Sequence, residues 1–479
     1  MESKFQTVIG LEVHLQLLTL SKMFCGCSTQ FGNAPNTQTC PVCIGLPGSL
    51  PVLNKKTLEY AIKVGIALNC KIHNRLKFDR KNYFYPDLSK NYQISQYQMP
   101  VATDGFIYIK DKKIGIKRVH LEEDTGKLFH EGITDGSLID FNRSGIPLLE
   151  IVSFPSINSA SEAYQYLTEL KMLLKYLDVS DCDMEKGSLR CDANISIMPT
   201  GATQLGTKVE IKNMNSFKNV ERAMEFETKR QIKCILEGQK IIQETRLYDP
   251  DKNITLPMRT KEESHDYRYF PDPDLVPFTI SIQHIQEIKN IIPELPHAKK
   301  KRFVQQYNIT EYDAGVLTSD NMLAEYFEKC ASFGVNSKYI ANWMMGDLLS
   351  IANQKGKHIT DLKLEPEKLS QMIQMIEDGR ITGKVAKDVL IHMIEKGKFA
   401  IEIVQEHNLE QVQDRTEIEK WVKEAIQENK KSVSDYLSGK NNAFMFLVGQ
   451  VIKKSKGKAN PNIVHKILTD LIKTGESPC

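Results

Sequence analysis

The sequence predicts an α+β fold: a large N-terminal antiparallel-sheet cradle carrying a zinc loop, followed by an all-α helical domain and a helical tail domain. Three observations predict it. Apolar residues alternate with polar ones at Leu11, Val13 and Leu15, again over 189–197, and again at Val209 and Ile211, the pattern of strands with one buried face. Four of the ten cysteines crowd into residues 25–43. Beyond a linker read at 291–302 the spacing turns helical and strand candidates vanish, so the domains are drawn at 1–292, 293–400 and 401–479, with a second break near 396–408.

At 479 residues the chain exceeds one ordinary core and calls for two or three domains. A formal charge of +3 is nearly balanced, so any nucleic-acid binding has to come from local basic patches rather than a global field. No apolar run reaches the roughly 20 residues that span a bilayer, which excludes a membrane helix. Met1 leads straight into the first strand without a signal peptide, and the scattered thiols suit a reducing compartment, so the expected location is cytoplasmic.

In the first strand, period two puts Glu12, His14 and Gln16 on one face. A solvated sheet face has this look; so does a carboxylate and imidazole awaiting a cation or a phosphate-bearing substrate. Cys25 and Cys27, then Cys40 and Cys43, form two close pairs suited to the corners of a zinc tetrahedron. Four thiolates leave no open position, so such a zinc is structural. Residues 57–68 fit a short amphipathic helix. In 77–87, Lys77, Arg80 and Lys81 interleave with Phe78, Tyr83, Phe84 and Tyr85, which fits an anion site or an aromatic loop with snorkelling cations.

Two hairpin strands, 106–110 and 114–121, run into Glu122, Glu123 and Asp124, which repel one another unless solvated or bridged by a cation. Parity groups Glu122 with Arg118 and His120, and Glu123 with Val119 and Leu121, and strand counting leaves the choice between them open. Further on, Glu150 is the single acid in a nearly all-apolar strand. Its desolvation must be compensated, the strongest local hint of a functional carboxylate. A helix follows Ser159, with apolar positions from 163 to 177. The strands over 189–197 and 208–212 turn Arg190, Asp192, Asn194, Lys208, Glu210 and Lys212 outward, a lattice of charge that a concave sheet would make into a cradle. Ser216 opens a helix over 217–236 that Gly238 ends, and Arg246 and the Tyr-rich segment 266–273 close the domain.

In the tail, Lys430, Lys431, Lys440, Lys453, Lys454, Lys456 and Lys458 surround the apolar run 444–448. Clustered lysines suit sequence-blind contact with a phosphate backbone, or simply a solvated helical face.

Taken together, the blocks 8–14, 77–86, 187–196, 266–271, 448–450 and 456–461 resemble the B subunit of the tRNA-dependent amidotransferases, and the resemblance runs nearly the whole length of the chain. It implies a cradle related to glutamine synthetase that acts as kinase and transamidase, then a helical domain, then a tail that reaches tRNA. It implies Glu12, His14, Glu123 and Glu150 as magnesium ligands, which selects Glu123 over Glu122, and the four cysteines match the zinc-bearing branch. Lys440, Lys453, Lys454, Lys456 and Lys458 fall in or beside the tRNA-contacting module.

The implied reaction is ATP-dependent phosphorylation of the side-chain carboxylate of Glu-tRNA(Gln), Asp-tRNA(Asn) or both. Ammonia then displaces the phosphate, delivered from glutamine by a partner amidase in a heterotrimer completed by a third, small chain. Cofactors are accordingly ATP, Mg2+ and structural Zn2+. Lys81, as a catalytic cation, and Arg190, Lys208 and Arg246 are the candidates for clamping phosphate. Two rivals stand beside this reading: a non-catalytic tRNA-binding scaffold, and a small-molecule amide ligase, for which the basic tail has no use.

Overall fold

A computed structural model describes residues 4–129, 136–260, 267–410, 414–455 and 458–473. The chain divides into two compact units, Met1–Pro296 and His297–Cys479.

The first unit is built on a nine-stranded sheet. Its strands are β1 (Phe5–Gln16), β2 (Lys71–Ile72), β5 (Ala102–Ile109), β6 (Lys112–Glu123), β7 (Pro147–Ser153), β8 (Leu189–Pro199), β9 (Val209–Lys212), β10 (Glu244–Asp249) and β11 (Ile254–Thr260). A smaller sheet holds β3 (Asp79–Asn82), β4 (Tyr92–Ser95) and the short strand Phe270–Pro271. Across the large sheet the order is β11, β10, β9, β8, β1, β7, β6, β5, β2, which puts β1 at the centre. Neighbours are antiparallel except β9 and β10, which run parallel.

Alternation decides the two faces. Leu11, Val13 and Leu15 of β1 are fully buried beneath the helices α1 (Lys55–Ala67), α2 (Ala160–Tyr176) and α3 (Phe217–Leu236), in one core with Val119, Leu121, Ile151, Ile195 and Ile211. Each such side chain contributes about 1.5–3 kcal/mol by leaving water. The helices start where their caps allow: Asn54, Ser159 and Ser216 each accept a backbone N–H from the first turn. Gly238, at φ +71°, follows the end of α3 in a conformation that suits glycine. The opposite face is left to the polar partners of the alternation.

Arg246 does not reach that polar face. It lies beside Ile211 in the β9–β10 register, so its side chain points under the sheet toward α3. There its Nη1 meets Glu244 Oε1 at 2.6 Å, its Nε donates to Thr255 Oγ1 at 2.8 Å, and Nε stands 3.6 Å from the fully buried Glu227 of α3. Arg230 holds the other side of Glu227 at 2.6 Å. The expected phosphate clamp is therefore a structural ion network pinning α3 to the sheet.

The second unit is helical, and among its described residues there is no strand. Its first helix, Pro296–Tyr307, carries Phe303 into a core that extends through Val404, so the expected linker over 291–302 shrinks to the few residues before Pro296. The break near 400 also moves. Helix Ala400–Glu406 buries Ala400, Ile403 and Val404 in that same core, whereas a separate core gathers residues from Ile418 to Ile472. Among the described residues no helix is long and apolar enough to cross a membrane.

Removing one partner of a buried charge network strands the others in low dielectric. Glu227→Ala should therefore lower the stability of the first unit by about 3–5 kcal/mol, measured by urea unfolding, while Leu256→Ala, at an exposed position, should cost far less.

Candidate active site

Register carries the site. His14 of β1 lies opposite Glu150 of β7, and Glu150 lies opposite His120 of β6, so three adjacent strands deliver three side chains in one row. His14 Nε2 is 3.5 Å from Glu150 Oε2, and His120 Nε2 is 3.3 Å from the same oxygen and 3.2 Å from Glu122 Oε1. One ligand atom from each of His14, Glu122 and Glu150 lies within 4.8 Å of the others. All four groups are buried or nearly so.

Burial would raise the carboxyls and lower the imidazoles, but their mutual attraction outweighs it. Burial pushes Glu150 up, yet His120 and His14 hold it well below the usual carboxylate range; Glu122, with Lys81 as its strongest cation, is brought down to about 2. His120 rises to about 9 against burial, through Glu150 and Glu122, and His14 rises through Glu150. Glu12, next on the same face of β1, moves the other way, raised by burial and by Glu150, while its Oε1 accepts from Asn194 Nδ2 at 3.0 Å. It is the acid most in need of a cation.

A cationic and aromatic wall borders the row. Lys81 of β3 is raised against burial by Glu122, and its Nζ sits 5.0 Å from the ring centre of Tyr267. Tyr269, two residues on, stacks with Tyr97 at 4.2 Å. Arg190, opposite His14 on β8, has Nη2 at 2.8 Å from Asp124 Oδ1 and, among the described residues, a buried Nε without a partner. Lys212 pairs with Asp192 and Glu210 on the same face. Lys208 is exposed just before β9, on the parity of Glu210 and Lys212.

Glu123 departs from its expected place. Its Oε2 accepts from Lys90 Nζ at 2.5 Å and from the backbone N–H of Ile94 at 3.2 Å, away from His14 and Glu150. Strand parity is the reason: β6 stays regular to Glu123, so Glu122 shares the face of His120 and stands in the cluster with His14 and Glu150. Sequence reasoning misses His120, Asp124, Asp192 and Lys212 as site residues, although for His120 and Glu122 the parity of 118, 120 and 122 is an available signal.

Carboxylate oxygens with one imidazole suit a hard divalent cation such as Mg2+. The second cluster suits a soft one. One sulfur from each of Cys25, Cys27, Cys40 and Cys43 lies within 4.8 Å of the others, as tetrahedral zinc ligation requires. Lys22 supplies an independent check. It is fully buried, and among the described residues its Nζ meets only Cys43 Sγ at 3.6 Å and the carbonyl of Phe141 at 3.2 Å. Four neutral thiols would leave that ammonium without an anionic hydrogen-bond partner among the described residues; metal-bound thiolates provide one. Cys43 is drawn down to about 4, first by the hydrogen bond from Cys25, then by the Cys40 backbone and Lys22, against burial.

In the tail, Lys440 pairs with Asp435 at 3.0 Å and Lys454 with Glu428 at 2.7 Å, whereas Lys453 and Lys458 are exposed. Lys456 lies outside the described residues.

A large sheet with a buried histidine–carboxylate cluster, cations at the edge of that cluster and a helical unit on the same chain define a class, an enzyme component whose site is built to handle charged groups. The chain belongs to the family of amidotransferase B subunits: the model of the GatB/GatE catalytic domain matches residues 7–286, and that of the GatB domain residues 325–472. It is 55% identical to the B subunit of the aspartyl/glutamyl-tRNA(Asn/Gln) amidotransferase of Caldanaerobacter subterraneus subsp. tengcongensis, over 98% of this chain and 99% of that one. To the proteins of the same name from Thermoanaerobacter sp. strain X514 and Carboxydothermus hydrogenoformans it is 54% and 52% identical, over 98% of this chain in both cases and 99% and 98% of theirs. The protein is thus one component of a multi-subunit amidotransferase that serves protein biosynthesis.

If the cysteines hold zinc, purified chain should carry one zinc, and Cys27→Ser or Cys40→Ser should release it, as read by elemental analysis. A full complement of thiols that react in the native parent, with no bound metal, would contradict this.

Proposed function

We propose that this chain is the kinase and transamidase component of a heterotrimer, whose other members are a glutamine-hydrolysing amidase and a small third chain. It activates the side-chain carboxylate of Glu-tRNA(Gln), Asp-tRNA(Asn) or both with ATP, and ammonia from glutamine completes the amide. The observation that carries this is the His14–Glu122–Glu150 cluster, with Glu12 beside it and Lys81 at its edge.

A carboxylate is too electron-rich for ammonia to attack, so it must first become an acyl phosphate. His14, Glu122 and Glu150, with Glu12 adjacent, would hold Mg2+, which when bound would supply charge neutralisation of phosphate oxygens. The chain's own groups do the rest. Lys81, held beside the acids, and Arg190, with one guanidinium N–H unpaired among the described residues, offer donors to transferred phosphate oxygens. His120 holds Glu122 and Glu150 in position from behind. The aromatic wall of Tyr83, Tyr267 and Tyr269 limits water near Lys81.

The cradle is read as related to glutamine synthetase, the zinc loop as structural, and the setting as cytoplasmic, where aminoacylated tRNA is made. The exposed Lys453 and Lys458 contact tRNA phosphates; Lys440 and Lys454, each already paired with an acid, contribute less.

In the assembled complex, Glu150→Gln should cut ADP release that depends on misacylated tRNA by at least about a hundredfold, because a lost metal ligand costs several kcal/mol of transition-state stabilisation. Glutamine hydrolysis by the partner amidase should persist. Full ADP release in this variant would instead support a tRNA-binding scaffold. Lys453→Gln should weaken tRNA binding and reduce the salt slope by about one, followed by filter binding across salt concentrations.

A further inference from the structure

The segment between the cysteine cluster and the acid cluster is bonded at both ends. Ser89 Oγ donates to the Cys43 carbonyl at 2.7 Å and meets Ser144 Oγ at 3.0 Å. Gly45, two residues past Cys43, packs onto Lys90 so closely that a Cβ there would stand 2.6 Å from Lys90 Cγ. Its φ of +75° also suits glycine. Lys90 Nζ then donates to Glu123 Oε2, which also takes the Ile94 N–H. The same stretch grips Glu122: Ser95 Oγ donates to Oε1 at 2.8 Å and Gln93 Nε2 to Oε2 at 3.1 Å, with Gln93 also on the Glu123 carbonyl at 2.7 Å.

Both oxygens of Glu122 are thus oriented by side chains of β4. A carboxylate has about four lone-pair sites, so these bonds fix its direction and still leave room for a cation. Yet β4 has four residues and its small sheet is completed by a two-residue strand, too little to hold itself in place. Outside that sheet it is held by Ile94 in the main core, by Gln96 Oε1 accepting the Leu121 N–H at 3.1 Å, by the Glu123 carboxylate, and, through Ser89 and Lys90, by the cysteine knuckle. The knuckle in turn is a loop rich in Gly, Asn and Pro, tied to residues 139–142 through Asn36 and Asn142, and a metal would fix its four cysteine corners.

We propose that the cysteine knuckle positions Glu122, acting through the strap 89–95, with Ser89 and Lys90 as its positioning residues. On this view Glu123 anchors the strap and does not face the cation. Zinc at the four cysteines thereby sets how well the acid cluster accepts a divalent ion. This rests on the reading of His14, Glu122 and Glu150 as a cation site, and the test separates the two.

The probe is Mn2+, titrated into the full chain assembled with its partner subunits. Lys90→Met and Ser89→Ala, with zinc content unchanged, should weaken Mn2+ binding about tenfold or more, the usual size of an outer-shell effect. Stripping zinc from the parent should do the same, and Glu122→Gln marks the full loss. Affinity within about twofold of the parent in both the strap variants and the stripped protein would overturn the proposal. Hydrogen exchange of the amides in 92–95 provides a measurement that needs no variant and no Mn2+. In the zinc-stripped parent the Ile94 amide should exchange at least about tenfold faster while α2 is unaffected; unchanged protection would overturn the strap. If Glu122→Gln binds Mn2+ as the parent does, the cation-site reading fails, and the exchange result alone decides the link.

Discussion

The structure depends on one register. With β1 between β7 and β8, and β6 on the far side of β7, His14, Glu150 and His120 stand in a row across three strands, and a slip of one residue in any pair would send one of them into the core. What fixes that register is the other face. Leu11, Val13, Leu15, Val119, Leu121, Leu149 and Ile151 are fully buried under helices, so the packing of the apolar half dictates the placement of the charged half. The desolvation cost of four titratable groups is carried by this same sheet.

Charge is arranged in two tiers. At the centre two imidazoles and two carboxylates compensate each other, and Lys81 and Arg190 stand at the edge, the latter tied to Asp124. A cation entering among His14, Glu122 and Glu150 would add to the compensation that the two imidazoles offer the carboxylates. Glu12, raised by burial and then by Glu150, would be relieved by the same cation. Below the sheet, the Glu227–Arg246 network likewise sets buried acids against cations, but with guanidinium in place of imidazole, and its role is to hold α3. Similar residues on opposite faces therefore have different fates, decided by parity alone.

Much of this could be read from the sequence. Alternation around Glu12 and His14, the solitary Glu150 in an apolar strand, and the spacing of four cysteines are local signals, and the folded chain gathers His14 with Glu150 and the four cysteines with one another. The failures are not local. Glu122 and Glu123 are neighbours, and choosing between them requires knowing that β6 stays regular to its end and that Lys90, over thirty residues earlier, waits for Glu123. Resemblance points to Glu123; geometry gives Glu122. Arg246 looks like a clamp until its parallel pairing beside Ile211 sets its direction. The boundary near 400 fails because helix Ala400–Glu406 belongs to the preceding core, which only tertiary contact reveals. The family, by contrast, is legible in long ordered blocks, and the comparisons with known proteins agree with it across both matched regions.

The central claim is that a divalent cation sits among His14, Glu122 and Glu150. The most direct measurement is anomalous diffraction from crystals of the assembled enzyme soaked with Mn2+. The account predicts a peak bounded by the imidazole of His14 and the carboxylates of Glu122 and Glu150, with the carboxylate of Glu123 turned away toward Lys90. A peak coordinated by Glu123 in place of Glu122, or ion density elsewhere in the cradle with this cluster bare, would contradict it.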